Sequence, residues 1–174
     1  MNTYMREKLE PYIKLAPFLG IGLVVVVLAA AGIFYTNKGA HLELVGSILK
    51  VRTLPIDENS SAAIIDFRFR NPSDYMFKVQ TVEVTMTDEK GNAIDGSVIS
   101  DVDSNSLFVY YPALGQKFNP SLLPRTKVKG GESMDRMLAV RFELPEKAVK
   151  ERKGMRVHVV EVAGQEAEFL EGVK

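Results

Sequence analysis

Residues 62–70 read AAIIDFRFR, and residues 77–87 read FKVQTVEVTMT. In the first run Ala63, Ile65, Phe67 and Phe69 alternate with Asp66, Arg68 and Arg70. In the second, Val82, Val84 and Met86 alternate with Glu83, Thr85 and Thr87. A period of two marks an extended strand with one face in a core and the other in water. Asn71-Pro72-Ser73-Asp74 stops the first run. Proline has no N–H for a ladder, and Asn and Asp bond their own backbone in turns. This stretch predicts two half-buried antiparallel strands and sets the class of the region around it.

The same rhythm extends in both directions. Lys90-Gly91 predicts a hairpin loop, because glycine takes positive φ freely, and Ala93–Ser100 returns as a strand. Residues 101–131 break the pattern. They hold Pro112, Pro120 and Pro124, Gly115, Gly130 and Gly131, and the rings of Phe108, Tyr110, Tyr111 and Phe118. The expectation there is a long connection with one helical turn. Strand pattern resumes at Ser133–Leu144, with Leu138, Val140, Phe142 and Leu144 inward. Pro145-Glu146 then opens a short helix that closes on Lys150, Arg152, Lys153 and Gly154. Met155–Val162 and Gln165–Phe169 form a last hairpin around Ala163-Gly164. Upstream, His41–Thr53 reads as a strand bent at Gly46, followed by a turn at Pro55–Ser61. Six to eight short strands, one long crossover and one short helix describe a mainly-β fold over residues 42–174. The expected form is an antiparallel sandwich of the fibronectin or immunoglobulin kind.

The N-terminal part is different. Leu15–Tyr35 reads LAPFLGIGLVVVVLAAAGIFY, without a charge. As a helix it is roughly 31 Å long, about the thickness of a bilayer's hydrocarbon core. A single transmembrane helix over 15–36 is expected, with a tail at 1–14 and a linker at 37–41. Ala29-Ala30-Ala31 resembles a leader cleavage site, but the apolar run is longer than an ordinary leader's. Tyr4 and Tyr12 on one side, and Phe34 and Tyr35 on the other, suit the two interfaces. Arg6, Lys8 and Lys14 precede the span, against Lys38 and Lys50 after it. That bias puts the N-terminus in the cytoplasm and the sandwich outside, in the periplasm of a bacterium. Ala16, Gly20 and Gly22 would let a second helix approach closely in lipid.

Composition excludes several classes of function. Basic and acidic side chains number 22 each, so the formal charge is zero and nothing favours nucleic acid. With no cysteine, disulfides, thiolate metal sites and cysteine nucleophiles are ruled out.

The segment IIDFRFRNPSDYMFKVQTVEVTMTDEKGNAIDGSVIS, residues 64–100, resembles the core of the type 2 late-embryogenesis-abundant family. That family is also called the water-stress and hypersensitive-response domain. The features carrying the likeness are Ile65, Phe67 and Phe69, then Asn71-Pro72, then Val82 and Val84 leading to Gly91. RFELPEKAVKE, residues 141–151, fits as well, and the likeness covers roughly residues 42–164. The resemblance implies a fibronectin-like sandwich, often beside a membrane anchor, with no catalytic residues. Asn71 and Pro72 carry over as turn formers. The long connection at 101–131 departs from the family pattern.

The candidate sites are few. His41 and His158 are the only imidazoles; His158 is expected to face water beside Arg156. His41, just past the apolar stretch, reads as an interfacial residue rather than a ligand to a neighbour's metal. Asp101-Val102-Asp103-Ser104-Asn105 begins like a calcium loop. Such a loop needs glycine at its sixth position and glutamate at its twelfth, and Ser106 and Pro112 stand there. Asn59-Ser60-Ser61 has the form of a glycosylation sequon. Ser133 has no nucleophile motif around it. Phe108, Tyr110, Tyr111 and Phe118 either cap the sandwich or form a partner site. The expected function is a non-catalytic, single-pass accessory subunit of a larger membrane assembly. Its contacts would be Ala16, Gly20 and Gly22 in the span and the four rings outside, with no cofactor, metal or small-molecule substrate. A respiratory or photosynthetic complex is a fitting host, though no residue selects one. The alternative is a free-standing stress-protective or lipid-binding module.

Overall fold

The computed structural model describes residues 20–32 and 43–172. The chain divides into two compact units, Met1–His41 and Leu42–Lys174. In the first, residues 20–32 form a helix, α1, whose residues are all exposed. Gly20 and Gly22 lie on it with open space where a Cβ would stand. Among the described residues no helix is long and apolar enough to cross a membrane. Residues 20–32 extend about 20 Å, short of a hydrocarbon core of about 30 Å. The remainder of the expected span, with Ala16, the tail at 1–14, the linker at 37–41 and His41, lies outside the described residues.

The second unit is a mainly-β antiparallel sandwich. Its elements are β1 (Val45–Pro55), β2 (Ser61–Arg70), β3 (Phe77–Thr87), β4 (Ala93–Val98), α2 (Asp101–Tyr110), a 3-10 turn (Pro112–Leu114), β5 (Lys127–Val128), β6 (Ser133–Phe142), α3 (Glu146–Lys150), β7 (Gly154–Glu161) and β8 (Glu166–Leu170). Their spatial order is β1-β2-β6-β4-β3-β7-β8, with β5 beside β3. β4 is the corner between the layers. Ala93–Gly96 pair with β3, whereas Ser97 and Val98 pair with β6. Gly96 makes the crossing possible: a Cβ there would lie 2.3 Å from Cγ1 of Val140 and 2.7 Å from the Phe142 ring. A single parallel bridge, Ile48 to Glu171, draws the two outer strands together, so the sandwich approaches a closed barrel.

The inward faces of the strands make the main core. Phe67 and Phe69 of β2 and Phe169 of β8 stack in a triad with ring centroids 5.4–5.8 Å apart. Phe77, Val84 and Met86 of β3, Val140 and Phe142 of β6, and Val157 of β7 complete it, all essentially inaccessible to water. Val149 of α3 plugs one side.

Three expectations need correction. The first strand begins at Val45 rather than His41, and its irregularity falls between Ile48 and Lys50, not at Gly46. Gly46 has another role: a Cβ there would meet the Arg68 carbonyl oxygen at 2.4 Å, so glycine lets β1 close on β2. Next, residues 101–131 hold more than one helical turn: α2 runs for 10 residues. Its start is encoded by Ser100, whose side chain accepts from the Asp103 N–H, and by Asp101 and Asp103 against the helix dipole. It ends just before Pro112, as a residue preceding proline favours. Last, β2 is not half-buried. Ile64 and Asp66, on the face assigned to water, are buried, and only Arg68 and Arg70 are exposed. The connection lies over that face. It builds a second small core of Leu54, Ile64, Leu114, Met137 and Ala139, with Leu107 and Phe108 against it.

Asn71 does more than form a turn. It is fully buried, and its Nδ2 donates to the carbonyls of Tyr75 at 2.6 Å and Val128 at 3.2 Å. Its Oδ1 accepts from the Ser73 N–H. One amide thus ties the β2–β3 turn to β5.

Pairing registers define two ends of the sandwich. The segments 71–76, 129–132 and 162–165 lie at the near end, where β1 begins (Val45 opposite Arg70, Arg70 opposite Ser133, Val79 opposite Glu161). The segments 56–60, 88–92 and 143–153 lie at the far end (Pro55 opposite Ser61, Ser61 opposite Phe142, Thr87 opposite Gly154).

Candidate functional site

The connection over β2 is held by a buried cation. Arg52, on β1, projects toward it. Its Nη1 donates to the carbonyls of Leu114 at 2.7 Å and Gln116 at 2.9 Å, and its Nη2 donates to Oδ2 of Asp66 at 2.8 Å. Asn119 Nδ2 donates to the other oxygen of Asp66 at 2.9 Å. The side chains of the pair are only 10% and 6% exposed. The guanidinium carbon lies 5.3 Å from the Phe108 ring centroid and 5.5 Å from that of Phe118. Such a flat cation between rings gains from their quadrupoles as well as from its hydrogen bonds. Arg52 therefore fixes both limbs of the connection to the sheet.

A second knot sits beside it. Lys117 Nζ donates to Oδ1 of Asp101 at 2.8 Å, Oδ1 of Asn105 at 2.7 Å and Oγ of Ser121 at 3.1 Å. Ser121 Oγ in turn donates to Asp101. These groups, with Phe118, Asn119, Pro120 and Leu123, line a shallow cleft of about 380 Å³. The hydrogen bonds from Lys117 and Ser121 hold the Asp101 carboxyl below its ordinary pKa. Arg68 does the same for Asp135, and Lys150 for Glu146. A carboxyl depressed by folding stabilises the fold above its unfolded pKa, and that stability is lost as pH falls through the folded value. Melting temperature should therefore stay flat from pH 8 to 5 and fall below about pH 4. Thermal melts across that range check this; a rise on acidification from pH 5 to 3 would contradict it.

The four predicted rings divide. Phe108 is half-buried and packs on the second core, and Phe118 covers Arg52 on one side while its other side is open, leaving it 65% exposed. Tyr110 is 77% exposed at the end of α2, and Tyr111 sits at the border with 36%. Val102, Val109 and Leu123 extend the exposed apolar area; sequence reasoning did not single them out. The polar residues that hold this surface, Arg52, Asp66, Lys117 and Asn119, were also missed. A lone acid among the apolar residues of β2 was the available signal.

Other candidates resolve simply. Asp101–Asn105 form the first turn of α2, not a calcium loop, with Asp101 committed to Lys117. Among the described residues no group of His, Cys, Asp or Glu could hold a metal ion. His158 is half-buried between Glu83, 3.5 Å from Nδ1, and Glu166, 3.2 Å from Nε2. The two carboxylates take opposite ring nitrogens, so a single cation could not be shared by all three. Asn59 is exposed in the β1–β2 turn.

No family model matches the chain, and no curated protein matches it. Two solved structures are similar. One is an uncharacterized beta-sandwich protein from Clostridium difficile 630, with 7% identity over 75% of this chain and 86% of that one, at a TM-score of 0.39. The other is a functionally unknown protein from Listeria monocytogenes EGD-e, with 11% identity over 76% of this chain and 79% of that one, at a TM-score of 0.40.

Proposed function

We propose that this chain is a non-catalytic accessory subunit of a membrane assembly. In this reading it is anchored by residues 15–36 and presents a docking surface outside the cytoplasm. One observation carries the docking role: the exposed apolar groups Val102, Val109, Tyr110 and Phe118 stand on a connection pinned by Arg52 and Lys117. Rigid exposed apolar groups bind at low entropic cost, and soluble monomers seldom leave such groups together in water. The anchor is supported by the uncharged apolar run of residues 15–35, which as a helix would match the thickness of a hydrocarbon core. The likeness to the late-embryogenesis-abundant domain belongs to this reading as the scaffold. Its other implication, a lipid-binding module, calls for an apolar groove between the layers. Phe67, Phe69, Phe77, Phe142 and Phe169 fill that space. The polar groups of the cleft are bonded to one another rather than aimed at a substrate, which supports a non-catalytic role.

Mild detergent extraction of the full chain, followed by a native gel and mass spectrometry, tests the proposal. The chain should run in a larger assembly, and Val109→Ser with Tyr110→Ser should release it while leaving the melting temperature unchanged. A wild-type chain that runs as a lone monomer would overturn it.

A further inference from the structure

The turn at 123–126 has a backbone that suits glycine. The Thr126 N–H donates to the Leu123 carbonyl at 3.1 Å, and Pro124 stands at the second position. Arg125, at the third, has a φ of 68°, the one positive φ outside glycine among the described residues. A turn with proline second and positive φ third ordinarily takes glycine there. Val79 also faces two residues at once. Its N–H donates to the Thr126 carbonyl at 2.9 Å, and its carbonyl accepts from the Arg125 N–H at 2.7 Å. That is a bulge whose first residue is again ordinarily glycine. An arginine here is held against its backbone preference. The strand that follows adds a second cost. In the β3–β5 ladder Lys127 lies directly opposite Lys78, and like charges so placed repel. Arg125, Lys127 and Lys129 are exposed, and Lys78 is half-buried.

None of these four cations forms an ion pair among the described residues. The nearby acids are turned elsewhere. Glu161 is buried and accepts from the backbone N–H groups of Lys78 and Ala163. Glu132 accepts from the Lys129 N–H at 2.8 Å, and Glu83 and Glu166 flank His158. Asp74 is exposed, with its carbonyl against Gly130, and pairs with none of the four. We propose that this face of β3 and β5 binds an acidic, extended polypeptide segment, with Lys78, Arg125, Lys127 and Lys129 taking its carboxylates. The cations are strung along residues 125–129, roughly 10–14 Å of chain, too far for one small anion to meet them together. Exposed apolar groups flank them: Met76 precedes β3, and the N–H of Val162 donates to the Lys78 carbonyl. A peptide meets such interleaved groups, its charge guiding encounter and its side chains holding contact. A polyphosphate would find no wider field to draw it in, because the chain's formal charge is zero. The proposal requires neither the anchor nor the α2 surface.

Arg125→Gly and Lys127→Glu separate binding from folding, since each removes a cost to the fold together with a cation. Both full-length variants, in a neutral detergent, should melt higher than the wild type while binding less. The probe is a dye-labelled peptide in which glutamate alternates with threonine, followed by fluorescence anisotropy. The wild type should bind it in the submillimolar range, and added salt should weaken the complex. Lys127→Glu should bind roughly tenfold more weakly, and Arg125→Gly several-fold more weakly. A wild type that fails to bind, variants that bind as well as the wild type, or equal binding of the same peptide with glutamine for glutamate would each overturn the proposal. Displacement of the peptide by a lower concentration of oligothymidylate would overturn it too, and would give the face to a polyphosphate. Variants that melt lower than the wild type would overturn the premise that these cations are kept at the fold's expense. None of these failures touches the subunit reading, which stands on release from the assembly by the α2 variants.

Discussion

Arg52→Ala should destabilise the sandwich by about 3–5 kcal/mol, the cost of leaving one member of a buried ion pair without the other. For a domain of this size that corresponds to a fall of roughly 10–20 °C in melting temperature. Asp66 would keep only the Asn119 amide, and the carbonyls of Leu114 and Gln116 would lose their donor. The damage should be local as well as global. With the cation gone, Phe108 and Phe118 lose the flat group between them, and the segment from Tyr111 to Thr126 should become a preferred site for limited proteolysis. Arg52→Met combined with Asp66→Leu should recover much of the loss, because no buried charge is left unpaired. A single variant that melts within about 1 kcal/mol of the wild type would contradict the role given to Arg52.

Phe69→Ala should have an effect of similar size by a different cause. The ring is fully buried and stacks on Phe67 at 5.8 Å and on Phe169 at 5.4 Å. Removing it leaves a cavity and costs about 3–5 kcal/mol. It also severs the stacking that joins β2 of one layer to β8 of the other, so β8 should lose protection first in hydrogen exchange. Phe69→Leu keeps most of the volume and should cost less. Equal losses for the two variants, or early exchange elsewhere than β8, would argue against the triad as the link between layers.

These two residues show what could be read in advance. Phe69 belongs to an unbroken alternation, so its inward direction followed from period alone. The same held for Val84, Met86, Val140 and Phe142, and for the turns at Gly91 and Gly164, both of which have positive φ. The pairing of Arg52 with Asp66 could not be read from alternation, which reports only which side of a strand a residue faces. It does not report what covers that side. The cover here is α2, whose apolar residues are split between the second core and the outer surface, so no clean helical stripe shows in residues 101–110. Its start was encoded locally, in the Ser100 and Asp103 pair, and was masked by the prolines that follow. The docking surface was partly visible: Tyr110 and Phe118 stood out as aromatics, whereas Val102 and Val109 gained meaning only once α2 placed them outward.

The proposed subunit role requires that residues 15–36 hold the chain in a bilayer. The direct measurement is fractionation of the full-length chain, with membranes pelleted and then washed at alkaline pH. The full-length chain should stay in the pellet through the wash and be released by detergent, while a chain lacking residues 1–36 stays in the supernatant. Full-length chain in the aqueous supernatant, with its N-terminal residues intact, would contradict both the anchor and the subunit role.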